Sequence, residues 1–239
     1  LVEAYESTGE DTGDAYAGLD PRFYATVLRN GDTWNGRTLE IYAGGADDPA
    51  RQNASPTGYY LRKFLNENLN LTNDDKRLRS WIVFRYAEIL LNAAEAINEA
   101  EGPDNAYQYV NEVRARVGMP PYSGMSQSQL RERIRNERRI ELCFEDHRFF
   151  DERRWKLFEG KSATSEKSLP YYQQVYNLYG VAVTPGQSTM FNYGPAEMHQ
   201  SRAFNSPKNY YFPIPDAEFR KFLPFGCAVD TPPRQNANK

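Results

Sequence analysis

The stretch RYAEILLNAAEAINEAEG, residues 85–102, decides the fold together with the two that follow it: PDNAYQYVNEVRARVGMPPY at 103–122 and LRERIRNERRIELCFEDHRFFDERRW at 130–155. Ile82, Tyr86, Ile89, Leu90, Ala93, Ile97 and Ala100 recur every three or four residues. That spacing predicts a helix with one apolar face and assigns the face to the interior. Ala93, Ala94, Ala96 and Ala100 leave little side chain between backbones, so a neighbouring helix can approach closely. Gly102 and Pro103 stop this helix and start another, because proline fits a first helical turn and breaks an interior one. The second helix carries Ala106, Tyr109, Val110, Val113 and Val117 and ends at Gly118, before Pro120 and Pro121. The two form an antiparallel hairpin, which cannot bury its apolar faces alone and must stack on other helices.

A long third helix opens at Ser126 and Gln129, the spacing of a capping box, and takes its apolar side from Leu130, Ile134, Ile140 and Phe144. Arg131, Arg133, Arg135, Arg138 and Arg139 alternate along it with Glu132, Glu137, Glu141 and Glu145. Neighbours three and four apart of opposite sign read as a solvated, partly paired face. A polyanion-binding patch is disfavoured by those interleaved acids and by a chain charge of −3.

Away from these helices the chain is less regular. Residues 1–18 are acidic and glycine-containing. Asp20 and Pro21 cap and open a short helix over Arg22 to Leu28. Residues 29–58 have loop composition, with one short strand expected around Thr38 to Tyr42. Residues 160–209 read as a second long irregular span holding Tyr171, Tyr172, Tyr176, Tyr179, Phe191 and Tyr193. Pro213 and Pro215 fix an extended segment, and Asp216 is placed to cap a last short helix.

A chain of 239 residues, 40% apolar, is long enough for a full core. Its mean hydropathy of −0.77 and the lack of a long apolar run argue against a membrane-spanning helix. No secretory leader is legible in LVEAYESTGED. Cys143 and Cys227 make no disulfide framework, and Cys143 reads as a small buried side chain. The motifs HExxH, GxSxG, GxGxxG and the phosphate-binding loop are all absent. The two histidines, His147 and His199, have no ligand-spaced partners, so no zinc site, other metal or cofactor is expected. His147, before RFFDERRW, reads as structural. Asp11 with Asp14, Asp47 with Asp48 and Asp74 with Asp75 lack calcium-loop spacing and read as turn chemistry.

What rises above background is the aromatic content, 14% of the chain, much of it in loops. Sugars present flat C–H faces ringed by hydroxyls, so a sugar site needs exposed rings beside amides, carboxylates and guanidinium groups. LRNGDTWNGR, residues 28–37, supplies this mixture. The expected ligand contacts are Trp34, Asp32, Asn35, Arg37 and Tyr42; no catalytic residue is assigned. Trp81 and Trp155 adjoin helices and are expected in the core.

RYAEILLNAAEAINEA, NEVRARVGMPPY and IRNERRIELCFEDHRFFDERRW, with GLDPRFYATV before them and YYFPIP after, resemble the SusD/RagB family in sequence and in order. The resemblance implies an outer-membrane, cell-surface lipoprotein that captures nutrients without chemistry and hands oligosaccharide or polysaccharide fragments to a SusC-like TonB-dependent transporter. It implies no nucleic-acid partner, and contact with the membrane only through a lipid anchor. A complete member is about twice as long, with a signal peptide, a lipidated cysteine and an N-terminal half of tetratricopeptide-like helix pairs. Residues 1–239 therefore read as its C-terminal domain. After YYFPIP this chain departs from the family's usual ending with RKFLPFGCAVDTPPRQ. The expected architecture is mainly α: helical hairpins of a tetratricopeptide-like superhelix, core helices over about 78–158, and long aromatic-rich loops. Two other readings stand beside glycan capture: a helical-repeat scaffold that binds a peptide or protein, which the hairpin alone supports equally, and a carbohydrate-active enzyme working through a carboxylate pair.

Overall fold

A computed structural model describes residues 1–7, 14, 16–69, 73–78, 80–158, 177–185, 191–201 and 208–211. The expected features at Asp11, Tyr171, Tyr172, Tyr176, Pro213, Pro215, Asp216 and Cys227 lie outside them. The chain divides into two compact units, Leu1–Asp151 with Tyr179–Gln200, and Glu152–Leu178 with Ser201–Lys239.

The fold is mainly α, as the periodicity predicts. Helix α2, Tyr86–Glu101, and helix α3, Tyr107–Arg116, form the hairpin, with α4, Gln127–Glu141, laid against α2. Gly102 ends α2 at φ 96, and its N–H donates to the Asn98 carbonyl at 3.2 Å. Few side chains tolerate that backbone angle, so glycine is the natural stop. The capping box of α4 is complete: Ser126 Oγ accepts from the Gln129 N–H, and Gln129 Oε1 accepts from the Ser126 N–H at 2.9 Å. Leu90, Leu91, Ala94, Ala106, Val110, Val113, Leu130, Ile134 and Leu142 meet in one buried cluster. Asn98 is buried among them and bridges the seam, its Nδ2 donating to the Gln127 carbonyl at 3.0 Å while Gln127 Nε2 donates to the Asn98 backbone carbonyl at 2.6 Å.

The buried face of α2 is only partly the expected one: Leu90 is buried and Ile97 packs against the core, as the periodicity predicts. Leu90, Leu91, Ala94 and Asn98 point inward, whereas Tyr86, Ile89 and Ala100 are exposed. The helix carries two apolar stripes, and among the described residues only the one facing α3 and α4 has a partner. Trp81 is likewise exposed, because it lies in the lead-in before α2 and, among the described residues, has only Phe64 as a ring neighbour, at 6.2 Å. Trp155 is half-buried. The long charged helix is also interrupted. After α4, Phe144 and Asp146 take φ 61 and φ 65, and the chain resumes as α5, His147–Arg154. That break turns Phe144 outward, while Cys143 stays buried as expected.

Before the hairpin, α1 spans Pro21–Thr26, and the Asp20 carboxylate accepts from the Arg22 N–H at 2.9 Å. The chain leaves α1 directly into β1, Val27–Leu28, which pairs antiparallel with β4, Tyr60–Leu61. Between them lies a hairpin of β2, Thr33–Trp34, and β3, Arg37–Thr38. The strand expected over 38–42 therefore ends early, and its residues join the loop after β3. The 160–209 span is not wholly irregular: β5, Asn177–Pro185, and β6, Phe191–Ser201, pair as a two-stranded sheet.

Candidate functional site

The site is built on the loop between β1 and β4. Asn35 and Gly36 take φ 49 and φ 76, the paired left-handed conformation of a two-residue hairpin turn, for which Asn-Gly is the preferred sequence. Trp34 stands directly across from Arg37, with Asn35 at the tip. One side of the Trp34 ring rests on a small cluster of Leu28, Leu39 and Ile41, joined by Tyr60, which leaves the ring half-buried. Buried Asn30 holds the base of this loop, its Oδ1 accepting from the Ile41 N–H at 2.7 Å.

Each expected ligand residue has a definite place here. The Asp32 carboxylate accepts from the Arg29 N–H at 2.9 Å and lies 3.6 Å from the Arg29 guanidinium. Arg37 grips Asp47 through two bonds, at 2.6 and 2.5 Å, and holds that carboxyl below the usual range. Asn35 is exposed at the turn. The Tyr42 ring stacks on Phe191 of β6, with centroids 5.8 Å apart. The structure thus brings Trp34, Asn35 and Arg37 together on one hairpin, sets Asp32 just before it, and places Tyr42 in a separate ring pair. Asp48 accepts from the N–H groups of Gly44 and Ala50, which is turn chemistry.

Behind the hairpin stands a second aromatic group that sequence reasoning did not assemble. The Tyr16 ring stacks on Phe23 at 5.6 Å and meets Tyr193 edge-on at 4.6 Å, and its hydroxyl bonds that of Tyr59. The Arg29 guanidinium lies over the Tyr16 ring, 5.0 Å from its centroid, and donates to Asp14 at 2.8 Å. Burial raises the hydroxyls of Tyr16 and Tyr59 and pushes that of Tyr193 up to about 12, so all three stay protonated at neutral pH. The signal for this group was present only as tyrosines scattered from position 16 to 193; nothing local links them.

The site is tied to the helices by ion pairs. Glu137, Glu141 and Glu145, four residues apart, form a row along the inner side of α4 and the turn after it. Glu137 takes Arg22 at 2.6 Å and Arg114 at 2.9 Å. Glu141 takes Arg22 at 2.9 Å, Arg85 at 2.6 Å and Arg116 at 2.8 Å. Glu145 takes Arg85 at 2.8 Å and Lys63 at 2.7 Å. The solvated charged face expected for α4 is, on this side, a buried network; none of the three glutamates is more than 6% exposed. Arg135 with Glu132, three apart on α4 at 3.0 Å, fits the expected pattern, whereas Arg131 reaches across to Glu99 of α2. Arg22 opens α1 and Lys63 follows β4, so the network clamps both ends of the site-bearing loop to α4. Burial alone would raise Glu141, yet bonds from Arg85 and Arg22 outweigh it and hold the carboxyl below its ordinary range; Arg85 and Lys63 do the same for Glu145. For Glu137, burial prevails over Arg22 and Arg114 and the carboxyl is raised.

The SusD family model matches residues 2–222. The chain belongs to the SusD family. Its relatives include SusD-like protein P25 of Formosa agariphila, 36% identical over 151 residues, a match covering 56% of this chain and 29% of that protein. A SusD-like protein from Bacteroides fragilis has a solved structure that superposes with a TM-score of 0.73 at 30% identity, over 92% of this chain and 44% of that one. A SusD-like carbohydrate binding protein from the same species gives a TM-score of 0.67 at 26% identity, over 92% of this chain and 46% of that one. This SusD-family chain therefore spans less than half the length of these relatives.

Proposed function

We propose that this chain is the glycan-holding portion of a surface nutrient-capture protein. The observation that carries the reading is the β2–β3 hairpin, which presents Trp34 between Asn35 and Arg37 with Asp32 beside it. The ring offers a stacking face for a sugar, and the amide, guanidinium and carboxylate offer donors and acceptors for its hydroxyls. Tyr42, in its separate ring pair with Phe191, is a second candidate stacking face. The likeness to a B. fragilis carbohydrate binding protein supports the same ligand class. No catalytic step is assigned: the ligand is held and passed to a SusC-like TonB-dependent transporter at the outer membrane, where a lipid anchor would keep the protein.

Affinity electrophoresis against plant, host and microbial polysaccharides tests the reading, with product analysis of every glycan that retards the protein. Retardation by one glycan class without product is the expected result. Release of shortened sugars would replace capture with catalysis, and no retardation by any glycan would move the ligand to another nutrient class.

A further inference from the structure

We propose that the glycan held at the β2–β3 hairpin is an uncharged one, and that Asp47 sets this choice by cancelling the charge of Arg37. The inference deepens the reading of the hairpin as a sugar-holding surface and rests on it. Arg37 stands directly across the hairpin from Trp34. Its guanidinium meets the Asp47 carboxylate end-on, Nη1 to Oδ2 at 2.6 Å and Nη2 to Oδ1 at 2.5 Å. The carboxylate is itself fixed: Oδ2 also accepts from the Glu40 N–H at 3.0 Å, and the Asp47 N–H donates to the Glu40 carbonyl at 3.1 Å. Glycine at position 45 lets this turn close, since a methyl group there would run into the Glu40 carbonyl oxygen. Asp47 is therefore a counter-ion held in place by backbone, not a chance surface partner.

The charges around the ring point the same way. Residues 28–51 hold three arginines and four acids. Arg29 donates to Asp14 at 2.8 Å and lies 3.6 Å from Asp32, and Arg51 has Asp47 and Asp48 as electrostatic neighbours. Glu40 accepts from the Ala46 N–H at 3.0 Å, and Asp48 from those of Gly44 and Ala50 at 2.7 and 2.8 Å. Of the five guanidinium N–H donors of Arg37, two go to Asp47 and one to the Thr38 carbonyl at 3.4 Å. The two that remain suit a pair of neighbouring sugar hydroxyls, which are neutral acceptors. A carboxylate or sulfate in that place would gain little from a guanidinium already neutralised, and it would stand close to like charge.

Charge-matched glycans test the proposal. Each polysaccharide that retards the protein in affinity electrophoresis is run beside its charge-altered form. A neutral glucan or galactan is paired with the same chain oxidised at its primary hydroxyls to carboxylates, with the methyl ester of the oxidised chain as the uncharged control. Polygalacturonate is paired with its methyl ester, and a sulfated galactan with the desulfated chain. The readout is the ratio of affinities within a pair, so a general loss of binding cancels. The parent should favour the neutral form by at least about tenfold. Asp47→Asn should shrink that preference by about fivefold at low salt, the order of one unit-charge interaction, and high salt should erase the change. The double variant Arg37→Gln/Asp47→Asn should restore the parent's ratio. An anionic form bound as tightly as its neutral partner overturns the proposal, and so does a ratio that Asp47→Asn leaves unmoved. Retardation by no polysaccharide of either charge removes the glycan reading and this inference together, whereas a reversed charge preference removes this inference alone.

Discussion

The inner side of α4 and the outer side of α2 invert the usual assignment of charge and grease. On α4, three carboxylates are buried because arginines and a lysine from α1, α3, the start of α2 and the end of β4 converge on them. On α2, Tyr86 and Ile89 stand in solvent because no described element reaches them. Burial is decided by what a face meets, and residue type sets only the penalty for meeting nothing.

The largest expected effect comes from breaking the charged side. Glu141→Ala strands Arg22, Arg85 and Arg116 around a missing partner, and losing one member of a buried pair costs about 3–5 kcal/mol. Urea denaturation that shows a loss below about 1 kcal/mol, within the range of a surface pair, would mean the network is solvated. Leu91→Ala, in the fully buried position between the helices, should cost about 2–5 kcal/mol by leaving a cavity. Tyr86→Ala in the same 239-residue chain should change stability by no more than about 0.5 kcal/mol, although sequence periodicity placed Tyr86 on the buried face. Equal melting shifts for Leu91→Ala and Tyr86→Ala would erase the distinction between the two sides of α2.

Acid sharpens the contrast further. Since the fold holds Glu141 and Glu145 below the ordinary glutamate range, the unfolded chain takes up protons first as pH falls. Their contribution is complete at neutral pH and is lost from about pH 5 downward, through the folded values. Raised Glu137 works in the opposite direction, favouring the fold at low pH and losing that advantage as pH rises through its folded value. Glu145→Gln should therefore flatten the fall in stability below pH 5, measured by denaturation at successive pH values. A slope unchanged from the parent would remove Glu145 from acid unfolding.

Much of the helical framework was legible because its signals are local. Gly102, Gly118, the Ser126–Gln129 box and the Asp20 cap each act within four residues, and each does what its spacing predicts. The charged network was not legible, since Arg22 and Glu137 are 115 residues apart and an alternating Arg/Glu pattern does not say which charges will find distant partners. The face of α2 was assigned in part: Leu90 and Ile97 meet the core, but Tyr86, Ile89 and Ala100 do not, because two apolar stripes share one period and periodicity cannot name the neighbour. In the site, Trp34 and its polar flanks stood out by composition, while the Asn35-Gly36 turn that pairs Trp34 with Arg37 was readable but went unused. The Tyr16, Tyr59 and Tyr193 group is assembled only by tertiary structure. Strand β5 hid its alternation of Tyr179, Val181 and Val183 inside a span otherwise full of turn residues.

The most direct test of the account is the affinity of Trp34→Ala for whichever glycan retards the parent protein, measured by isothermal titration beside Tyr86→Ala. Loss of one stacking ring should weaken Trp34→Ala by about 1–2 kcal/mol, roughly five- to thirtyfold, with melting temperature little changed and Tyr86→Ala binding like the parent. Unaltered affinity in folded Trp34→Ala would contradict the assignment of the β2–β3 hairpin as the glycan-holding surface.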